Sequence, residues 1–143
     1  MIRGDFIKRK ISLIQDDLLK LATFSAYSLD EIASDFTKQA AVERILERII
    51  MRAIDVNQRL IMEFSQVSVS PPKDYRETFL LLSGMSVYPE EFAKEIAKSV
   101  GTRNVLVHEY DNVDQSFVYQ SIKNCFEDYH AYIGYVLKFV DAQ

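Results

Sequence analysis

The residues best suited to chemistry lie together in residues 103–110, which read Arg-Asn-Val-Leu-Val-His-Glu-Tyr. This stretch contains Arg103, Asn104, His108 and Tyr110, and it includes one of the two histidines of the chain. The free pKa of histidine is about 6.5, so His108 can both accept and donate a proton near neutral pH. The guanidinium of Arg103 carries a permanent charge and a planar set of donors that match phosphate oxygens. Together these side chains suit the cleavage of a phosphodiester without a metal.

RNA is a phosphodiester that carries its own nucleophile, the 2′-hydroxyl. A protein that cleaves it needs only to move protons and to stabilise the charge that develops at phosphorus. We therefore predict that His108 is the general acid and base, Arg103 the charge stabiliser and Asn104 an orienting donor. A histidine near a helix end can equally be a capping or packing residue, so a structural role is the alternative.

A helical path through residues 103–110 does not bring these side chains to one face. At about 100° per residue, Asn104 and His108 share a face, whereas Arg103 and His108 diverge by about 140°. A straight helix therefore cannot direct Arg103 and His108 at one atom. The sequence leaves two solutions, a bend in the backbone near Gly101 or a site assembled from two chains.

The same stretch resembles the R-x4-H-x-Y signature of the HepT-like toxins in the HEPN superfamily, with Arg103, His108 and Tyr110 at the signature positions. The likeness extends more loosely over residues 75–118 and residues 44–55. The resemblance implies an all-helical, dimeric, metal-independent ribonuclease of a type VII-like toxin–antitoxin system, paired with a nucleotidyltransferase (MNT-domain) antitoxin. It also implies that this partner transfers AMP to Tyr110, which would add negative charge and bulk beside a phosphodiester site.

The composition is that of a globular protein, and we expect residues 1–143 to form a single HEPN-like helical domain. Four glycines and three prolines are few, which favours long helices. The single cysteine, Cys125, excludes an internal disulfide and suits a reducing cytosol, so we expect a cytoplasmic protein. Two histidines and one cysteine cannot form a zinc site by themselves, and no apolar run is long enough to span a membrane.

Hydrophobic periodicity predicts an all-α antiparallel bundle of about five helices. The predicted helices cover residues 5–27, residues 35–64, residues 75–83, residues 89–100 and residues 115–140. Ser28 and Glu31 fit a capping box, and Ser34 or Asp35 offers the start of the long second helix. This helix is apolar on more than one side, so it is either central to the bundle or packed against a partner chain. We expect a homodimer in which residues 103–110 of the two chains approach each other.

Arginines follow the long helix as a stripe, with Arg44, Arg48 and Arg52 at spacings of four. The net charge of the chain is −4, so any contact with RNA requires a local basic patch of this kind. The stripe is therefore a candidate contact surface for RNA or for the partner protein. It is also compatible with a solvated face on which Glu43 and Glu47 pair with the arginines.

The 103–110 stretch and the family resemblance together favour a ribonuclease that acts on tRNA or mRNA without a cofactor. The expected partners are RNA, the nucleotidyltransferase antitoxin and a second copy of the chain, whereas neither DNA nor a membrane is expected. The alternative is a non-catalytic HEPN module that binds a nucleotide or a partner, in which Arg103 and Asn104 hold a phosphate and His108 is only a contact. A purely structural helical subunit is the third interpretation.

Overall fold

Seven helices follow one another in the part of the chain that the structure, a computed structural model, describes: residues 4–65, 71–108 and 113–143. In chain order they are α1 (Asp5–Phe24), α2 (Leu29–Ala33), α3 (Phe36–Phe64), α4 (Tyr75–Gly84), α5 (Glu90–Ala97), α6 (Ser99–His108) and α7 (Gln115–Asp141). These ranges contain no strand, which confirms the all-α prediction. Relative to the predicted set of about five helices, the additions are the short α2 and α6, which continues to His108 beyond the predicted helix end at residue 100. No described helix is both long and apolar enough to cross a membrane.

Polar side chains begin several helices where the sequence predicts a start. Ser28 accepts a hydrogen bond from the backbone N–H of Glu31 at 3.1 Å, and the Glu31 carboxylate accepts one from the Ser28 N–H at 3.2 Å. This is the predicted capping box, and it begins α2. The carboxylates of Asp35, Asp74 and Asp114 each accept a 2.9 Å hydrogen bond from a backbone N–H in the first turns of α3, α4 and α7.

Helix α3 lies at the centre of the bundle and packs against α1, α2, α4, α6 and α7. Its buried positions between Ile45 and Leu60 cover about 180° of the helix circumference, more than the stripe of roughly 100° that suffices for a surface helix. Helices of the same chain cover this arc. The long helix is therefore the central element of the bundle, which decides between the two interpretations that its sequence allows.

The break between α5 and α6 lies at Lys98, and α6 begins at Ser99. A bend near Gly101 is one of the two solutions that the sequence leaves open, but Gly101 lies inside α6. The Ser99 hydroxyl donates to the Ile96 carbonyl at 2.7 Å and accepts from the Tyr129 hydroxyl of α7 at 2.7 Å. These two bonds connect the first residue of α6 to α5 and to α7.

Three helices share one network of buried hydrogen bonds. Asn57 of α3 is fully buried; its side-chain amide donates to the Thr78 hydroxyl of α4 at 3.1 Å, and its carbonyl oxygen accepts from the Tyr132 hydroxyl of α7 at 2.5 Å. Thr78 in turn donates to the backbone carbonyl of Tyr75 at 2.7 Å. Buried polar groups destabilise a fold unless they are satisfied, so this network favours one arrangement of α3, α4 and α7.

Burial also determines the chemistry of the single cysteine. Cys125 of α7 lies in the core, and burial raises the pKa of its thiol to about 12. The thiol therefore stays protonated near neutral pH and behaves as a small apolar side chain rather than as a nucleophile.

We expect Tyr132→Phe to lower the free energy of unfolding by about 1–3 kcal/mol, because Asn57 loses a donor inside the core while the aromatic ring is kept. Urea denaturation followed by circular dichroism measures the change. The control is Tyr135→Phe on the same helix, whose hydroxyl makes no hydrogen bond with the described residues. The control should change stability by less than about 0.5 kcal/mol. Equal losses in the two variants would contradict a stabilising network.

Candidate active site

Helix α6 carries the three predicted catalytic side chains, and its buried residues hold it against the core. Thr102 and Leu106, one turn apart, are buried, and the helix packs against α3, α5 and α7. This anchoring leaves Asn104 and His108 exposed and Arg103 half-buried. The predicted catalytic side chains therefore lie on the parts of α6 that do not pack into the core.

The guanidinium of Arg103 makes two contacts among the described residues. Its Nη1 donates to the side-chain oxygen of Asn104 at 3.3 Å, and its central carbon lies 5.6 Å from the centroid of the Tyr75 ring. The Nε of Arg103 is buried and has no hydrogen-bond partner in the described ranges. No carboxylate of these ranges forms an ion pair with Arg103, so nothing there neutralises its charge.

His108 is the last residue of α6, and its imidazole is exposed. Within the described ranges it makes no hydrogen bond with Arg103 or Asn104, and no group of three or more His, Cys, Asp and Glu side chains there could hold a metal ion. Arg103 and His108 lie on one unbroken helix, so their divergence of about 140° persists. The structure thus brings Arg103 and Asn104 together but leaves His108 apart from them, and the predicted modification site, Tyr110, lies outside the described residues.

The arginine stripe on α3 is engaged in ion pairs. Arg48 Nη2 lies 3.2 Å from Asp17 Oδ1, and Arg52 Nη1 lies 2.6 Å from Asp17 Oδ2. Arg44 is more exposed and lies 3.6 Å from Glu47 on the same helix. Arg48 and Arg52 therefore connect α3 to α1, whereas Arg44 lies on the solvent side. A contact of these residues with RNA or a partner stays a prediction.

Sequence reasoning missed Asp17, which is fully buried on α1. The available signal was its position, because it lies three residues after Ile14 and four before Leu21, both in the apolar seam of α1. A buried carboxylate is costly unless it is paired, and the two arginines one turn apart on α3 supply the pairing. Tyr75 was likewise not singled out, since its proximity to Arg103 is not visible along the chain.

Most of the chain matches a known family. The model of the ribonuclease HepT-like family matches residues 14–136, which include all of α3 and α6. The chain belongs to this family. The likeness first noted in residues 103–110 therefore extends over nearly the whole HepT-like bundle, and the resemblance predicted from sequence is confirmed.

Two nucleases are similar to this HepT-like chain in sequence. The tRNA nuclease HepT of Aphanizomenon flos-aquae (strain 2012/KM1/D3) is 35% identical over 129 residues, which are 89% of this chain and 84% of that protein. The mRNA nuclease HepT of Shewanella oneidensis is 26% identical over 133 residues, which are 93% of this chain and 97% of that protein. Both alignments extend over most of each chain, so the likeness concerns whole proteins rather than a shared motif.

Solved structures show the same fold. The tri-AMPylated HEPN toxin of Shewanella oneidensis, in complex with an MNT antitoxin, has a TM-score of 0.80 at 25% identity and covers 94% of this chain and 97% of that chain. YutE of Bacillus subtilis, a cytosolic protein of unknown function, has a TM-score of 0.83 over 99% of this chain and 92% of its own. Its identity of 18% supports the fold alone. The expected HEPN-like fold is thereby confirmed for this HepT-like chain.

We expect Arg52→Ala to lower the free energy of unfolding by about 2–3 kcal/mol, because the buried Asp17 carboxylate would keep only Arg48 as a cationic partner. Arg44→Ala is the matched control on the same stripe. Its ion pair is exposed, so its loss should cost less than about 0.5 kcal/mol. Chemical denaturation of both variants measures the difference, and an Arg52→Ala variant as stable as the control would refute a structural role for the pair with Asp17.

Proposed function

We propose that this chain is a metal-independent endoribonuclease and the toxin of a type VII-like toxin–antitoxin pair. The observation that carries the proposal is the state of Arg103, a half-buried cation without a carboxylate partner in the described ranges, on the same helix as the exposed His108. An uncompensated guanidinium is available to an external anion. In a chain of the ribonuclease HepT-like family, the anion that fits best is an RNA phosphodiester.

The proposed reaction uses the 2′-hydroxyl of RNA as its nucleophile. His108 accepts the proton of this hydroxyl while the 2′ oxygen forms a bond to phosphorus and the bond to the 5′ oxygen breaks. The imidazolium then donates that proton to the departing 5′ oxygen, which leaves a 2′,3′-cyclic phosphate and a 5′-hydroxyl. Arg103 stabilises the charge on the non-bridging oxygens, and Asn104 donates a hydrogen bond that orients the phosphate. This chemistry requires no metal.

The proposed working unit is a homodimer. Arg103 and His108 diverge by about 140° on α6, so a second copy is needed to bring the arginine of one chain to the histidine of the other. The buried arc of α3 is not an argument for the dimer, since helices of the same chain already cover it. The divergence on α6 is therefore the argument for two chains.

The names of the two relatives leave tRNA and mRNA as substrates. The tRNA nuclease is the more similar of the two, at 35% against 26% identity. We therefore propose tRNA as the first substrate to test. Either substrate must present a flexible phosphodiester with a free 2′-hydroxyl, which a single-stranded loop of RNA offers.

The proposed regulation is AMP transfer to Tyr110 by an MNT antitoxin. The support is the similar toxin of Shewanella oneidensis, which is tri-AMPylated and in complex with an MNT antitoxin. In the transfer, the Tyr110 oxygen would attack the α-phosphorus of ATP, the phenol would lose its proton to solvent, and pyrophosphate would leave. The added phosphate would compete with RNA for Arg103 and repel the RNA backbone, because like charges close together are unfavourable. The toxin would thereby be silenced without unfolding.

We expect His108→Ala and Arg103→Ala each to lower tRNA cleavage by roughly 100-fold or more, because one supplies protons and the other charge. Gel electrophoresis of labelled tRNA in the presence of EDTA measures the loss. His130→Ala is the control, since His130 is the other histidine, is exposed on α7 and stacks on Phe126 at 6.4 Å. The His130→Ala variant should cleave tRNA like the wild-type chain. If the wild-type chain leaves the RNA intact, the nucleotide- or partner-binding module is favoured instead.

Mixing the two inactive variants tests whether the site is shared between chains. A heterodimer of Arg103→Ala and His108→Ala chains contains one site with both residues intact only if arginine and histidine come from different chains. Co-refolding the two variants should then restore part of the activity, up to about half for each heterodimer by the two-fold symmetry. Mixtures as inactive as the separate variants would exclude a site that pairs Arg103 and His108 across the dimer.

We expect Tyr110→Phe to keep ribonuclease activity but to escape silencing by a co-expressed MNT antitoxin, because the phenol oxygen that accepts AMP is absent. Intact-mass spectrometry should show added adenylyl groups on the wild-type chain and none on Tyr110→Phe. Tyr135→Phe, the control on α7, should be modified and silenced normally. Neutralised toxin with an unmodified Tyr110 would instead indicate that the antitoxin blocks the site by occlusion alone.

A further inference from the structure

Arg103 differs from four arginines of α3 in having no carboxylate partner within the described ranges. Arg44, Arg48 and Arg52 each lie within 3.6 Å of a carboxylate oxygen, as does Arg59, which pairs with Glu63 at 3.1 Å. In the described ranges, Arg103 has an aromatic ring and a neighbouring carboxamide instead. A carboxylate would position a guanidinium but would also neutralise it, whereas an aromatic ring positions it and leaves its charge intact.

We propose that Tyr75 is a positioning residue for Arg103, acting through the face of its ring. The guanidinium carbon lies 5.6 Å from the ring centroid, within the distance at which a cation is attracted to an aromatic face. By restricting the side chain of Arg103, the ring lowers the side-chain entropy that is lost when a phosphate binds. This role rests on the proposed function, in which Arg103 stabilises the charge at phosphorus.

The position of Tyr75 is itself fixed by the core. Tyr75 is the first residue of α4, and the preceding Asp74 caps this helix by accepting from the Glu77 N–H at 2.9 Å. The Tyr75 carbonyl accepts from the Thr78 hydroxyl at 2.7 Å, and Thr78 is held in turn by the fully buried Asn57. A chain of hydrogen bonds therefore runs from the central helix α3 to the first turn of α4. It fixes the backbone of Tyr75, from which the ring extends to Arg103.

The ring, and not the hydroxyl, is the part of Tyr75 that the geometry uses. The Tyr75 hydroxyl makes no hydrogen bond with the described residues, whereas its ring faces Arg103. Tyr75→Phe should therefore keep the function of the residue, and Tyr75→Leu should lose it. Phe126→Leu is the matched control, because Phe126 is similarly exposed, at 40% against 36%, and stacks on His130 rather than on Arg103.

The first measurement observes the contact without relying on any activity. The Nε of Arg103 is buried, so its N–H should exchange slowly with water and give an NMR signal, assigned by its loss in Arg103→Lys. The ring current of Tyr75 should shift this signal. We expect Tyr75→Leu to move it, and Tyr75→Phe and Phe126→Leu to leave it near its original position. An unmoved signal in Tyr75→Leu would overturn the proposed contact.

The second measurement is steady-state cleavage of tRNA by the same variants. We expect Tyr75→Leu to lower cleavage by roughly three- to thirty-fold, the range of a partly exposed cation–π contact, and the loss to fall mainly on kcat. Tyr75→Phe should restore cleavage to within about twofold, since the ring face is retained. A Tyr75→Leu variant that moves the NMR signal yet cleaves normally, or a Tyr75→Phe variant as impaired as Tyr75→Leu, would overturn the positioning role.

The two measurements separate this proposal from the proposed function. If the wild-type chain cleaves no RNA, the proposed ribonuclease activity is refuted, and with it the catalytic effect of Tyr75. The NMR signal of Arg103 would still decide whether the ring holds the guanidinium. A moved signal and impaired cleavage in Tyr75→Leu, with both restored in Tyr75→Phe, support the proposal.

Discussion

The burial of α3 over about half of its circumference is the constraint on which the rest of the structure depends. A helix enclosed to this extent must satisfy its polar side chains inside the protein, because unpaired buried groups are strongly destabilising. Asn57 does so through Thr78 of α4 and Tyr132 of α7. The arginines at the edge of the buried arc do so through Asp17 of α1. The polar contacts of α3 thus determine where three neighbouring helices lie.

Arg52 and Arg103 play different parts in the molecule, and the difference follows from what surrounds each one. Where a carboxylate is present, as at Arg52, the cation is neutralised and connects two helices. At Arg103 the neighbours within the described ranges are an aromatic ring and a carboxamide, and no carboxylate of those ranges neutralises the cation. A net charge of −4 makes such a local, unneutralised cation more informative than the overall balance of charges. It is the physical basis on which an anionic substrate is proposed.

Helix α6 is anchored through Thr102 and Leu106, and this anchoring restricts the directions in which Arg103 and His108 extend from one chain. Once two buried residues fix the rotation of the helix, Arg103 and His108 cannot both turn to the same point. A break in the backbone would have relieved this restriction only if it lay between them, but it lies earlier, at Lys98. Pairing two copies around a two-fold axis is the simplest arrangement that brings such divergent side chains together.

The sequence by itself determined most of the helices, most of their starts and the candidate catalytic residues. Helix periodicity, capping side chains and the 103–110 motif are all local properties. The sequence offered a bend near Gly101, since glycine is a weak helix former, whereas the helix breaks at Lys98, beside a Ser99–Tyr129 bond that joins residues thirty positions apart. Only the tertiary structure decided that α3 is central, that Asp17 pairs with the stripe and that Tyr75 lies under Arg103. Each of these depends on which distant helices pack together, and packing depends on surfaces that no local pattern contains.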